Sequence, residues 1–190
     1  MVTKQKSVAP FAFVGILSGV LAPIMFVIAI FADGSWTFNV DMLSALGISN
    51  VAIAASLFKW TCVVAGITLL FFGAGKAYIR MTGLDAVSGL FLAVSGVFLV
   101  GVGLVTLDNA NIHHFFAALH FAMILIAMVA GTVGDWQKGR LITASVGACA
   151  LVIFLCSTVG LTMAGAEVVL VFCFCVWTVV QSLSLAFSKN

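Results

Sequence analysis

Residues 84–106 read LDAVSGLFLAVSGVFLVGVGLVT. After Asp85 the stretch holds no ionisable side chain. At about 1.5 Å of rise per residue its length matches the roughly 30 Å hydrocarbon core of a bilayer. In lipid an open chain can satisfy its own backbone only as a helix, so this stretch predicts a transmembrane helix. Gly89, Gly96 and Gly103 recur every seven residues along it, with Ala93 between. That spacing keeps small residues on one seam, where a second helix can approach backbone to backbone. Gly66 and Gly73 repeat the pattern in residues 57–79 and nominate that segment as the partner.

Working outward, residues 10–32, 57–79, 113–134, 141–161 and 166–187 have the same apolar character and length. The expected fold class is all-α: a polytopic membrane bundle of six transmembrane helices with a short extracellular helix between spans one and two. Residues 1–190 are read as a single six-helix transmembrane domain. Composition agrees, with 64% of residues hydrophobic and only 7% charged. A soluble domain is about half apolar and a quarter charged, and could not hide this much apolar surface from water. The first apolar run exceeds a signal-peptide core and ends without a small-x-small cleavage site. No internal repeat points to a transporter of inverted halves.

Seven of the eight basic residues, Lys4, Lys6, Lys76, Arg80, Lys138, Arg140 and Lys189, fall on one side of this topology, against Lys59 on the other. The positive-inside rule then predicts a cell-membrane protein with both termini cytoplasmic. Asp33, Asp41, Asp108, Glu167, His113 and His114 gather at the outer face. Trp36, Trp60 and Trp136 read as interface anchors. The net charge of +2 and the lack of a basic, aromatic-interleaved stripe give no reason to expect nucleic acid as a partner. Cys62, Cys149, Cys156, Cys173 and Cys175 lie inside apolar runs with no CxxC or Cys/His cluster, so neither a disulfide framework nor a zinc site is expected.

The longest connection, about residues 33–56, is expected to be ordered. Asn39 can cap a short helix, Met42, Leu43 and Leu46 give it an apolar face, and Gly47 can end it. Such a helix would lie on the membrane or over the bundle mouth. Asn50 is then expected to open the second span's helix.

Candidate chemistry centres on Asp108-Asn109-Ala110-Asn111-Ile112-His113-His114 and on His120. Asp108 to Asn111 can cap the fourth helix, where its dipole favours an acid. His113 and His120, seven apart, share a helix face at depths differing by about 10 Å, and His114 points away. An imidazole as deep as His120 is either functional or settled by a carbonyl or hydroxyl partner. Three histidines on one helix cannot supply opposed haem ligands, and nothing in the spacing demands a metal, so no cofactor and no metal are expected. Glu167 begins the sixth span, where the helix dipole suits it. Lys59 can pair with Asp41 or Glu167. Ser44 could meet His113 and Asp108, though no G-x-S-x-G elbow is present. The expected outer polar site is therefore Asp41, Ser44, Lys59, Asp108, His113, His120 and Glu167.

At these residues the chain resembles the DUF998 family of archaeal and bacterial membrane proteins. The pieces that carry the likeness are Asp41-Met42-Leu43-Ser44-Ala45-Leu46-Gly47, then Gly101-Val102-Gly103-Leu104 with His113 following, then Gly165-Ala166-Glu167 with Trp177 beyond. The family often carries an Arg after the acid matched by Glu167, and Val168 stands there instead. The family name denotes unknown function. Its loose similarity to Frag1/DRAM-type proteins, some acting in lipid remodelling, leans toward lipids by analogy of fold alone.

Two readings of function stand level. One is a protein that binds lipid or another small molecule at the outer polar site, with membrane lipids as partners. The other is a structural or accessory subunit, a homo-oligomer or part of a larger membrane complex. A lipid hydrolase or transferase using His113 as base ranks below both, and an ion or proton pathway lower still, because the inner halves of the spans look almost free of ionisable groups.

Overall fold

The computed structural model describes residues 8–80 and 83–187. Lys4, Lys6 and Lys189, used above for orientation, lie outside the described residues. Six helices cross the bundle: α1 (Ala9–Asp33), α2 (Ala52–Arg80), α3 (Gly83–Leu104), α4 (Ala110–Gln137), α5 (Leu141–Gly160) and α6 (Met163–Phe187). All are long and apolar enough to span a membrane, and the protein is a multi-pass membrane protein. Two 3₁₀ helices, Leu43–Ile48 and Leu107–Asn109, sit in the connections at one end. That end is called the lid end below, and the end holding Arg80, Lys138 and Arg140 the basic end.

Each helix packs against its neighbours in sequence, and α6 returns to α1, so the six close into a ring. The tightest seam is α2–α3, as the glycine spacing requires. A Cβ on Gly66 would lie 2.6 Å from the Gly96 carbonyl oxygen, and one on Gly89 would lie 2.8 Å from that of Gly73. Both are far inside van der Waals contact, so the two backbones touch directly. In lipid, where hydrophobic burial does not drive helices together, such close packing is a main source of association.

The bundle's exterior is inverted relative to a soluble protein. Val159, Ile142 and Phe187 are 80–90% exposed. Trp60 and Trp136 are exposed at opposite ends, while Trp36 packs on the core and donates from Nε1 to the Met42 carbonyl at 3.0 Å.

The long connection folds over the lid end, by means that differ from those expected. Asn39 does not cap the short helix. It adopts φ 65° and its Oδ1 accepts the Thr162 N–H at 2.8 Å, tying the loop to the α5–α6 turn. The left-handed region suits Asn because its short polar side chain can bond locally. Met42 holds the N-cap position, and Gly47 lies within the 3₁₀ helix. A Cβ on Gly47 would press on the Phe58 ring at 2.9 Å, so its role is close packing. Leu43 and Leu46 are buried at 1–2% exposure and plug the mouth of the ring, while Met42 is exposed. Ser49, not Asn50, prepares α2: its Oγ accepts the Val51 N–H at 3.0 Å and donates to Asp33 at the end of α1.

Candidate functional site

The ring leaves a space along its axis. A narrow cavity of about 60 Å³ is lined by α1, α2, α3, α4, α6 and the lid, with nothing from α5. That suits a few waters or one slender chain rather than a ring system. Its polar groups are few. Ser44, His113, His120 and Glu167 line it, joined by Ser18 and Thr178, and the remaining wall is almost entirely apolar side chains such as Phe26, Leu69, Ile124 and Phe174.

Four of the seven residues nominated from sequence therefore meet on one cavity. Glu167, in the first turns of α6, accepts the Leu43 N–H on Oε2 at 3.2 Å and so pins the lid. Ser44 follows Leu43 in the lid and is buried. His113 Nδ1 lies 2.6 Å from the Val105 carbonyl oxygen, and His120 Nδ1 lies 3.0 Å from that of Ser95. A carbonyl can only accept, so each Nδ1 carries the hydrogen of that bond. Both rings are at least 95% buried. His114 is exposed, as the helix geometry requires.

The other three nominated residues stand apart. Asp41 accepts the Thr37 N–H at 2.9 Å and lines a separate polar hollow with Asp33 and Ser49. Asp108 is exposed and accepts from Thr106 Oγ1 at 2.6 Å. The α4 N-cap is Asn109, without a side-chain cap bond, so the Asp108 cap is not formed. Lys59 is exposed beside Trp60 and makes no ion pair among the described residues. Its helix turns toward α3 through its backbone, with the Lys59 carbonyl 2.7 Å from where a Gly103 Cβ would stand, and the side chain reaches outward. His113 is thus oriented by a backbone carbonyl rather than by Asp108, and no serine triad of Ser44, His113 and Asp108 forms.

Sequence reading missed a second cluster, at the basic end. Lys76 is 3% exposed inside α2. Its Nζ donates to Ser88 Oγ and to Gln181 Oε1, both at 2.8 Å, and lies 5.2 Å from the Trp177 ring centroid. Gln181 Nε2 donates onward to Asp135. Arg140 reaches Asp135 through Nε at 2.6 Å and Asp85 through Nη2 at 2.7 Å, and Lys138 meets Asp85 at 2.6 Å. Burial alone would lower the Arg140 pKa, but bonds to Asp85 and Asp135 outweigh it and raise it. Each charge is paired or bonded, so the cluster fastens α2, α3, α4 and α6 together at little exposure to lipid. The ionisable members of the cluster sit at the ends of the spans, and Gln181 is the uncharged residue that links them from within α6. A lone Gln181 in an apolar span was the signal that could have revealed the cluster.

Between the two clusters stands Trp177, fully buried and packed against positions where only glycine fits. A Cβ on Gly131 would lie 2.7 Å from its ring, and one on Gly147 would lie 3.2 Å from Nε1. Its Nε1 and the Thr132 Oγ1 have no hydrogen-bond partner among the described residues. Phe174 bridges upward, with its ring centroid 6.1 Å from Trp177 and 6.4 Å from His120.

The lid stretch Asp41–Gly47, the Gly101–Leu104 end of α3 near His113, and Glu167 with Trp177 on α6 are the pieces that carried the family resemblance. A family model described as "Protein of unknown function (DUF998)" matches residues 16–184. The chain belongs to the DUF998 family. In this DUF998 protein, the pieces nominated by resemblance are thus a lid, a histidine, the acid that pins the lid, and a buried tryptophan. Among curated proteins and among solved structures, none matches the chain.

Proposed function

We propose that this membrane protein binds the hydrocarbon chain of a lipid or similar slender amphipathic molecule in its central cavity, with the polar end held beneath the lid by Ser44, His113 and Glu167. The observation that carries the reading is the cavity itself: a narrow, largely apolar space with Ser44, His113 and Glu167 at its lid end. Ser44, one imidazole and the Glu167 carboxyl, with no Lys or Arg in the lining, favour a hydroxyl or protonated acid group over a phosphate. Of the five basic residues among those described, Lys76, Arg80, Lys138 and Arg140 lie at the end away from the lid and Lys59 at the lid end. By the positive-inside rule the lid would then face outward, with both termini cytoplasmic, in the cell membrane.

The test is photolabelling in phosphatidylcholine vesicles with oleic acid carrying a mid-chain diazirine. The expected adducts fall on Ile124, Val171 or Phe174, and Val171→Trp, which fills the cavity, removes them while the protein stays folded. Adducts confined to lipid-facing positions such as Val152 and Ile153 would overturn the reading and leave the accessory-subunit alternative.

A further inference from the structure

Three apolar grooves on the bundle's lipid-facing surface bear on how a ligand reaches the cavity. The groove between α5 and α6 shares no lining residue with the cavity. The groove between α1 and α6 shares Gly19 and Cys175. That seam is shut by backbone, since a Cβ on Gly19 would lie 2.7 Å from the Cys175 carbonyl oxygen. The groove between α1 and α2 is different. Leu17, Leu21, Met25, Leu57, Trp60 and Val64 form its outer walls, and Ser18, Ala22 and Ala65 form its floor. Those same three residues line the central cavity from the other side.

The partition between groove and cavity is therefore one layer of small side chains. Across it Ser18 Oγ donates to the Ala65 carbonyl at a long 3.4 Å. The seam is sealed above and below this level. Toward the lid, the Phe26 and Phe58 rings meet at 5.9 Å between centroids. Toward the basic end, the Phe72 ring fills the space beside Gly15, and Phe11 fills that beside Gly75. Pro23 lies within α1 just beyond Ala22. Proline removes one backbone hydrogen bond and favours bending there, so α1 can yield at this level without losing its other contacts.

Resting on the cavity reading above, we infer that the thin partition at Ser18, Ala22 and Ala65 opens as a lateral window, through which a single acyl chain passes from the bilayer into the cavity. The occupant follows from the surroundings. The groove opens where bilayer hydrocarbon lies, its walls are mainly alkyl and aromatic with Thr61 and Thr68 on the α2 side, and the cavity behind it is narrow. A water-borne polar ligand would instead have to displace the lid that Glu167 and Asn39 fasten.

The experiment uses the full chain carrying S18C and A65C, linked across the seam by a short crosslinker cleavable by reductant, in phosphatidylcholine vesicles with the same diazirine oleic acid. The wild-type chain treated with the reagent controls for native cysteines. The linked protein should label its interior about tenfold or more slowly than the same protein after reduction. Recovery on reduction shows that the fold was intact. Equal interior labelling of linked and reduced protein would overturn the window while leaving the cavity reading standing. An unlabelled interior in wild type as well would overturn both.

Discussion

Replacing Gly96 by alanine tests the seam on which the bundle is built. The added Cβ would stand 2.5 Å from the Gly66 carbonyl oxygen and 2.6 Å from the Leu70 amide nitrogen. Ordinary contact begins near 3.4 Å, so α2 and α3 must separate by 0.8–0.9 Å at this level. Neither obstacle is a flexible side chain that could swing away. The Gly73–Gly89 contact on the same seam would be strained with it. Overpacking of this kind costs about 1–3 kcal/mol, and a chain of this size loses roughly 2–4 °C of melting temperature per kcal/mol. Gly96→Ala should therefore melt about 2–12 °C below wild type in a mild detergent, and Gly96→Leu should fall further or fail to fold. Gly160→Ala is the control. Nothing lies within 4 Å of its Cβ position, and alanine is the better helix former, so stability should hold or rise slightly. If Gly96→Leu purifies with an unchanged melting curve, the glycine seam is not the contact.

Gln181→Leu should destabilise by about 3–5 kcal/mol, because it leaves the buried Lys76 and Asp135 each short of a bond. Adding Lys76→Met should recover part of that loss, and a strictly additive double variant in thermal denaturation would refute the linkage. Asn39→Ala should cost about 1 kcal/mol and expose the lid to limited proteolysis, since it removes the bond to Thr162 and places alanine at a positive φ. Unchanged cleavage would mean that Asn39 does not hold the lid.

The glycines spaced by seven in residues 84–106 named their partner helix correctly, because a backbone contact is written in residue size and period. The lid was legible in part. Leu43 and Leu46 were recognised as its buried face, yet Asn39 and Gly47 were given the wrong duties. Capping is a local habit, and here it yields to a bond with Thr162, far along the chain, and to the Phe58 ring. His113 and His120 could be placed on one face by helix geometry alone, but Asp108 and Lys59 could not be excluded from their company. Being near one end of the bundle does not decide whether a side chain points to the axis or to lipid.

By itself the sequence determined that this protein is six helices in a membrane, since apolar length and the need to satisfy backbone groups are properties of each segment alone. Only the tertiary structure decided what faces the axis. The rotation of each helix is set by packing against both neighbours. It turned Ser44, His113, His120 and Glu167 onto one cavity, left Asp41, Lys59 and Asp108 outside it, and joined Lys76, Asp85, Asp135, Arg140 and Gln181 into a cluster that no single segment contains.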